Sequence, residues 1–362
     1  MVLIRHLFGI PSLRQTWREC DVNVAYRWFL SYDLLEHIPH FATVSYAFCN
    51  RFPPDLSVEI FDHILNKALN NRMVDHSVVF IDSTYIKASA NKKKFQKEQV
   101  NKAAKVYDEV LLKEVNEERA KLGKKEIENK DDNEPPKGEK TVFTTDPDCG
   151  MFVKGEHERQ FAYEAHTACE RHGVVLAVEV TPGNVHDSVA WDAVYDSVCS
   201  RFSEVEALAM DAGCKTPWIA RKILQDGRIP VLLYTRSHTK KYAFKPWNYQ
   251  YNEALDCMGE LLRHTTTDRN GKRIYRSTPS VCLNCPCREK CGANGKGKKL
   301  IQRHIWQEDL DVGEGIRKTD LGKSIYEKRK KMIEGLCRCQ RKARYALCPH
   351  EKPDSRYAMG ET

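Results

Sequence analysis

VVFIDSTYIKA, residues 78–88, carries four apolar residues, Val78 to Ile81, straight into the carboxylate of Asp82 and then into Ser83 and Thr84. A run rich in β-branched and aromatic residues predicts a strand, here closing on an acid. EVEALAMDAG, residues 204–213, repeats the design: its apolar run stops at Asp211, before Ala212 and Gly213. A third acid, Glu334, lies in SIYEKRKKMIEG, residues 324–335, a charged helical pattern that keeps Tyr326, Arg329 and Glu334 within a few turns. Singly, an Asp after a strand is commonly a turn residue or a helix cap, and Glu334 alone reads as part of a solvated helix. Jointly, two strand-end aspartates and a helix glutamate make a set of oxygen ligands suited to a hard divalent ion.

Between these acids the chain alternates strands and helices. RQFAYEAHTACE (159–170) and GVVLAVEVTPGN (173–184) read as strands joined by a turn at His172 and Gly173. DSVAWDAVYDSVCSRF (187–202) reads as a helix started by Asp187 or Ser188, and TPWIARKILQDG (216–227) as a helix with Gly227 beyond its end. RIPVLLYTR (228–236) is a last strand. With the Asp82 strand first, the order is three strands, helix, strand, helix, strand. That order predicts an α/β fold: a ribonuclease-H-like mixed sheet with flanking helices, in which the first strand is central and the Asp211 strand lies beside it. His166, His186 and Asp187 read as structural in this frame: a strand histidine and a turn or cap.

Composition bounds the function classes. The chain has 362 residues, 41% of them hydrophobic, enough for a real core and more than one unit. No apolar run approaches the roughly 18–20 residues that span a bilayer, and MVLIRHLFGIPSLRQTW is too short and polar for a signal peptide. A soluble, cytoplasmic protein with no membrane partner is expected. A net charge of +8 permits an anionic partner such as nucleic acid without demanding one. Fourteen cysteines scattered through so long a chain point to reduced thiols and a metal cluster rather than to disulfides.

Around the central pattern lie four further segments. LFGIPSLRQTWREC (7–20), DVNVAYRWFLSYDLLEHIP (21–39) and HFATVSYAFCNRF (40–52) have helical periodicity, so residues 1–70 are expected to form a helical DNA-binding unit whose Arg14, Arg18, Arg27 and Arg51 face phosphates. Residues 71–90 and 141–236 make the core. Residues 91–140, dense in Lys and Glu, form a charged helical insertion, with Val100, Ala104, Tyr107, Leu111 and Val115 at helical spacing. It is expected to be a projecting, solvated helix with a mobile loop, Lys92, Lys93 and Lys94 lying near the Asp82 strand. Residues 237–305 form a cysteine-rich insert. There Cys282, Cys285 and Cys291, with Cys287 between them, face Cys257 across the hairpin-like LLRHTTTDRNGKRIYRS (261–277), a set suited to a structural Zn²⁺. Residues 306–335 carry the Glu334 helix, and residues 336–362 form an aberrant tail.

VFIDSTYIKA (79–88), TTDPDCGMFVKGEHERQFAYEAHTACERHG (144–173), TPGNVHDS (181–188), DAGCKTP (211–217), LNCPCREKC (283–291) and IYEKRKKMIE (325–334) together resemble, in order and content, an insertion-sequence transposase of the DDE class. The resemblance is to the branch with a Tyr-x-x-Arg…Glu helix and a cysteine-rich insert, and it covers most of the chain up to Gly335. It implies Asp82, Asp211 and Glu334 as catalytic ligands of Mg²⁺ or Mn²⁺. It also implies DNA contacts by Lys87, Tyr326 and Arg329, and double-stranded DNA, meaning terminal repeats and target, as partner to a homodimer. Two other readings stay open: a DNA-binding transposase remnant without catalysis, and a sequence-tolerant metal-dependent nuclease. Three departures accompany the resemblance. Relatives carry a second cysteine and a proline just after the position of Cys257, where this chain reads DCMGE, which leaves the fourth zinc ligand open, with Cys287 as a substitute. Relatives carry a helical segment ahead of the LFGIPSLRQT block, so Met1 is expected to be an internal start. After Glu334 the Cys- and Arg-rich sequence is expected to arise from a frameshift, leaving a poor continuation for the helix and weak or absent transposition.

Overall fold

The computed structural model describes residues 1–53, 55–88, 95–101, 107–128, 137–143, 146–154, 158–232, 250–252, 254–257, 260–286, 291 and 296–343. In chain order the elements are helices α1 (Val2–Phe8), α2 (Leu13–Val22), α3 (Val24–Phe29), α4 (Phe41–Asn50) and α5 (Leu56–Asn70), followed by strands β1 (Val78–Lys87) and β2 (Phe95–Asn101). Then come α6 (Asp108–Lys121), β3 (Lys137–Phe143), β4 (Gly150–Lys154), β5 (Glu158–Glu170), β6 (Val175–Pro182), α7 (Asp187–Arg201), β7 (Ala207–Met210), α8 (Pro217–Gln225) and β8 (Ile229–Val231). The last elements are β9 (Gln250–Asn252), β10 (Ala254–Cys257), β11 (Glu260–Thr267), β12 (Lys272–Arg276), α9 (Pro279–Leu283), β13 (Leu300–His304), α10 (Gln307–Lys318) and α11 (Asp320–Ala343). They divide into two compact units, the first from residues 1–98, 139–205 and 327–362, the second from 99–138 and 206–326.

The first unit opens with the expected helices, cut into shorter pieces. Gly9 in the left-handed region (φ 63°) ends α1, and Asn23 separates α2 from α3 by accepting hydrogen bonds from Ala25 N at 2.9 Å and Tyr26 N at 3.3 Å. Ile4, Ile10, Cys20 and Ile38 form their small core, with Trp17 and Tyr26 against it. Arg27 departs from its expected role on a phosphate-facing surface. It is buried and donates to the carbonyls of Asp21, Asp33 and Glu36, stapling the loop after α3. The charge is needed to satisfy backbone carbonyls that no helix ladder reaches.

Behind these helices, β1 pairs antiparallel with β5 along nine residues, from Val79 opposite Glu170 to Lys87 opposite Ala162. On its other edge β5 pairs antiparallel with both β4 and β6. Strand β4 was not anticipated, because GMFVK between two polar turns is too short to show alternation. Gly173, at φ 89°, closes the β5–β6 turn where the sequence placed it, and Glu170 accepts from His172 N and Val174 N there. Helix α7 lays Trp191, Val194, Tyr195 and Val198 on β5 and β6, all nearly without exposure. Its cap is His186, whose Nδ1 accepts from Ser188 N at 3.2 Å, in place of the expected Asp187 or Ser188.

In the second unit β7 and β8 pair in parallel, Ala207 opposite Ile229, and the connecting α8 makes the crossover that parallel strands require. Strands β9 to β13 form a separate antiparallel sheet in the order β13-β12-β11-β10-β9. Its β11–β12 hairpin turns on Asp268, whose carboxylate accepts from Asn270 N and Lys272 N, and on Gly271 at φ 72°. The helix expected across residues 100–115 starts only at Asp108; Val100 lies in β2, and Ala104 is outside the described residues, as are Lys92, Lys93 and Lys94. Far from being a solvated projection, α6 buries Leu111 and Val115 against Trp306, Trp218 and Tyr107. Antiparallel and parallel pairings flanked by helices make this a mixed α/β, ribonuclease-H-like fold.

Candidate functional site

Asp82 is the fifth residue of the ten-residue strand β1, so it sits in mid-strand rather than at a strand end as expected. The apolar run stops at Asp82, yet Ser83 to Lys87 continue the ladder against β5. Alternation sends Asp82 and its partner Thr167 to one face of the β1–β5 ladder, and Ser83 with its partner His166 to the other. On the Asp82 face, Arg329 Nη2 of α11 lies 3.3 Å from Asp82 Oδ1, with 7% of the arginine side chain and 22% of the aspartate exposed. One contact therefore joins the first acid to the helix of the Tyr-x-x-Arg pattern.

Glu334 follows five residues later on α11, and its side chain is outside the described residues. The helix does not fail at Gly335, contrary to expectation, and runs on to Ala343. Tyr326 has Arg317 over its ring, the guanidinium carbon 4.1 Å from the centroid, so a cation already occupies the face proposed for a nucleobase. Lys87 closes β1 and is exposed.

In the second unit Asp211 follows β7 directly and heads a short 3-10 turn, Ala212–Cys214, without a side-chain capping bond. The commonplace use of a post-strand aspartate, as a cap, is therefore not what holds it. Cys257 ends β10, its side chain outside the described residues, and Cys287 is outside them altogether. Cys282 and Cys285 are half-buried and Cys291 buried, none of them in a disulfide.

Behind Asp82, on the opposite face of the ladder, lies a buried polar cluster that the sequence reading passed over. Glu164, His166 and Asp187 each bring one ligand atom within 4.8 Å of the others, and among the described residues they are the one group of three or more such side chains. Glu164 has no exposure, and neither of its carboxylate oxygens has a hydrogen-bond partner. His166 Nε2 lies 2.9 Å from Thr181 Oγ1, while its Nδ1 lies 3.4 Å from Asp187 Oδ1, which also has no hydrogen-bond partner. Burial raises the Glu164 pKa, and the negative charge of Asp187 adds to the rise, against the pull of Ser83, His166 and Tyr85. For Asp187 burial also pushes upward, but His166 and Ser83 outweigh it and hold the acid below its usual range. The available signal was Glu164 and His166 two apart on a strand, hence on one face, with Asp187 heading the next helix.

The fold, with an acid on its β1 strand, places the chain in the class of proteins built on a ribonuclease-H-like core. Comparison with known families narrows the class. Residues 73–279 match the Transposase DDE domain family, more than half the chain, and residues 257–348 match a second family of the same description. Residues 1–49 match a Transposase domain family (DUF772). The chain belongs to the DDE transposases. No curated protein and no solved structure matches it.

Proposed function

We propose that this chain cuts and joins DNA at insertion-sequence ends, with Asp82, Asp211 and Glu334 as the carboxylates that hold two divalent ions, Mg²⁺ or Mn²⁺. The observation that carries the reading is the Asp82–Arg329 contact, which ties the β1 acid to the helix carrying Tyr326 and Glu334 in a chain of the DDE family. The donor set fits such ions: Asp82 offers a partly exposed carboxylate already matched to a cation, and Asp211 is not used as a cap. When bound, such ions would supply charge neutralisation at the phosphoryl oxygens and activation of the attacking oxygen. Asp82, Asp211 and Glu334 would hold these ions through their carboxylate oxygens. Arg329, released from Asp82, grips a phosphate through its planar fork, Tyr326 stacks on a base in exchange for Arg317, and Lys87 adds positive charge at the strand end.

The remaining parts of this reading are a homodimer on terminal-repeat DNA, a cytoplasmic location, and a structural Zn²⁺ on Cys257, Cys282, Cys285 and Cys291. The described helices supply no segment long and apolar enough to cross a membrane. We attribute the sequence after Glu334 to a shifted reading frame, which sequencing the gene tests. The catalytic test is strand cleavage and transfer on cognate ends with Mg²⁺, wild type against Asp82→Asn. A loss of at least about 10²-fold is expected with DNA binding retained. Equal activity of the two chains would overturn the assignment, and activity on DNA lacking terminal repeats would favour a sequence-tolerant nuclease.

A further inference from the structure

The second face of the β1–β5 ladder holds an arrangement that the proposed chemistry does not use. His166 Nε2 and Thr181 Oγ1 are 2.9 Å apart. In the metal-free protein Nδ1–H is turned toward Asp187, and loss of that proton on loading, with Nε2–H then donated to the Thr181 hydroxyl, frees an Nδ1 lone pair. Nδ1 faces Asp187 Oδ1 at 3.4 Å, and Glu164 brings one carboxylate oxygen within 4.8 Å of both. The Ser83 and Tyr85 hydroxyls favour the charged form of Glu164. Ligand atoms from three side chains thus converge where Glu164 has no exposure and His166 only 3%. Two carboxylates and a neutral imidazole carry two negative charges, the complement of one divalent cation.

We propose that Glu164, His166 and Asp187 form a divalent-cation site of their own, closed on its fourth side by the Ser83 hydroxyl and fastening β1 and β5 to the head of α7. One nitrogen and several oxygens suit Mn²⁺ or Zn²⁺ better than Mg²⁺. Metal–ligand bonds of about 2.0–2.2 Å set donor separations of about 3–4 Å, so the cluster, now within 4.8 Å, draws in by up to about 1 Å or more on loading. Thr181 holds the far ring nitrogen, the placement that orients a ligating histidine. Ser83 directly follows Asp82, so the cation supports the backbone of the proposed catalytic acid from the opposite face without touching it. The site stands on the geometry of the first unit alone and holds whether or not the chain transfers DNA strands.

The experiment uses metal-stripped full-length protein carrying Asp82→Asn, which disables the proposed catalytic centre, and counts bound Mn²⁺ by electron paramagnetic resonance. Mn²⁺ avoids confusion with the cysteines, which favour softer ions. One Mn²⁺ per chain is expected to stay bound. Adding Glu164→Gln, which keeps the shape and removes the negative charge, should abolish that retention. Adding Thr181→Val should weaken it by about 10–100-fold. If the Asp82→Asn chain retains no Mn²⁺, or if Glu164→Gln retains it undiminished, a shared proton occupies the cluster and the proposal is overturned. Strand-transfer assays on the wild type judge the catalytic reading separately.

Discussion

Arg329 meets Asp82 with only 7% of its side chain exposed, so a divalent ion approaching that carboxylate competes with a desolvated guanidinium. An α-helix turns about 100° per residue, which sets Glu334, five positions on, roughly 140° around from Arg329. Under the proposed function, loading the carboxylates calls for Arg329 to leave Asp82. In a Glu164→Gln background, Arg329→Ala should tighten Mn²⁺ binding several-fold and weaken DNA binding. Isothermal titration with each ligand checks this, and unchanged Mn²⁺ affinity would mean that the arginine does not compete. Gly271 makes a different kind of demand. At φ 72° a Cβ there would lie 2.6 Å from Leu111 Cδ1 and 2.9 Å from His304 Nε2. Gly271→Ala should cost about 1–2 kcal/mol or more, read as a lower melting temperature of the second unit.

At the scale of elements, β13 and α6 are joined through Trp306. Its indole Nε1 donates to Glu114 at 2.6 Å, Arg221 donates to the same carboxylate at 2.7 Å, and the Arg221 guanidinium lies 5.1 Å from the Trp306 ring centroid. Trp306→Ala removes a side chain with 1% exposure and strands part of Glu114, a change expected to cost about 3–5 kcal/mol by chemical denaturation. His304, at the end of β13, accepts from Trp306 N through Nδ1 at 3.1 Å. Burial lowers its pKa from the ordinary 6.5 to about 4; the Asp268 charge works against this fall, while the Lys272 and Arg273 charges assist it. The folded state thus keeps the ring neutral where the unfolded chain protonates it. The contribution is complete above pH 6.5, declines as pH falls, and is lost by about pH 4. His304→Asn should flatten the stability–pH profile across that window, and an unaltered slope would place the titration elsewhere.

These elements also mark how far the sequence can be read. β5, β6, α7 and α8 were legible because alternation, helical period and the Gly173 and Gly227 turns all agree within each segment. Asp82 was legible as an acid ending an apolar run, though not as a mid-strand residue, because the strand continues through side chains that are only half apolar. The Glu164, His166 and Asp187 cluster was not legible as a unit. Its two strand residues and one helix head come together only through the β5–β6 return and the docking of α7. Arg27 and α6 were misjudged for one reason: charge was taken as exposure, whereas backbone carbonyls bury the first and three aromatic rings cover part of the second.

For the molecule as a whole, a net charge of +8 on a DDE transposase makes the affinity for DNA a function of salt. Each phosphate contact contributes a slope of about −0.9 in log K against log salt. Asp82→Asn should leave that slope unaltered while abolishing cleavage, which filter binding across a salt series resolves. A slope that changed with Asp82→Asn would place the aspartate in DNA positioning rather than in chemistry alone.

The first unit is assembled from three stretches of chain, the last beginning only at residue 327. Translation consequently delivers β1 and its acid long before it delivers the arginine that neutralises it. A nascent polypeptide emerging at about 5–20 residues per second passes through an interval of at least ten seconds in which Asp82 awaits Arg329. A ribosome stalled ahead of that point releases a product with the carboxylate present and its guardian missing, so completion of the protein and masking of this charge are the same late event.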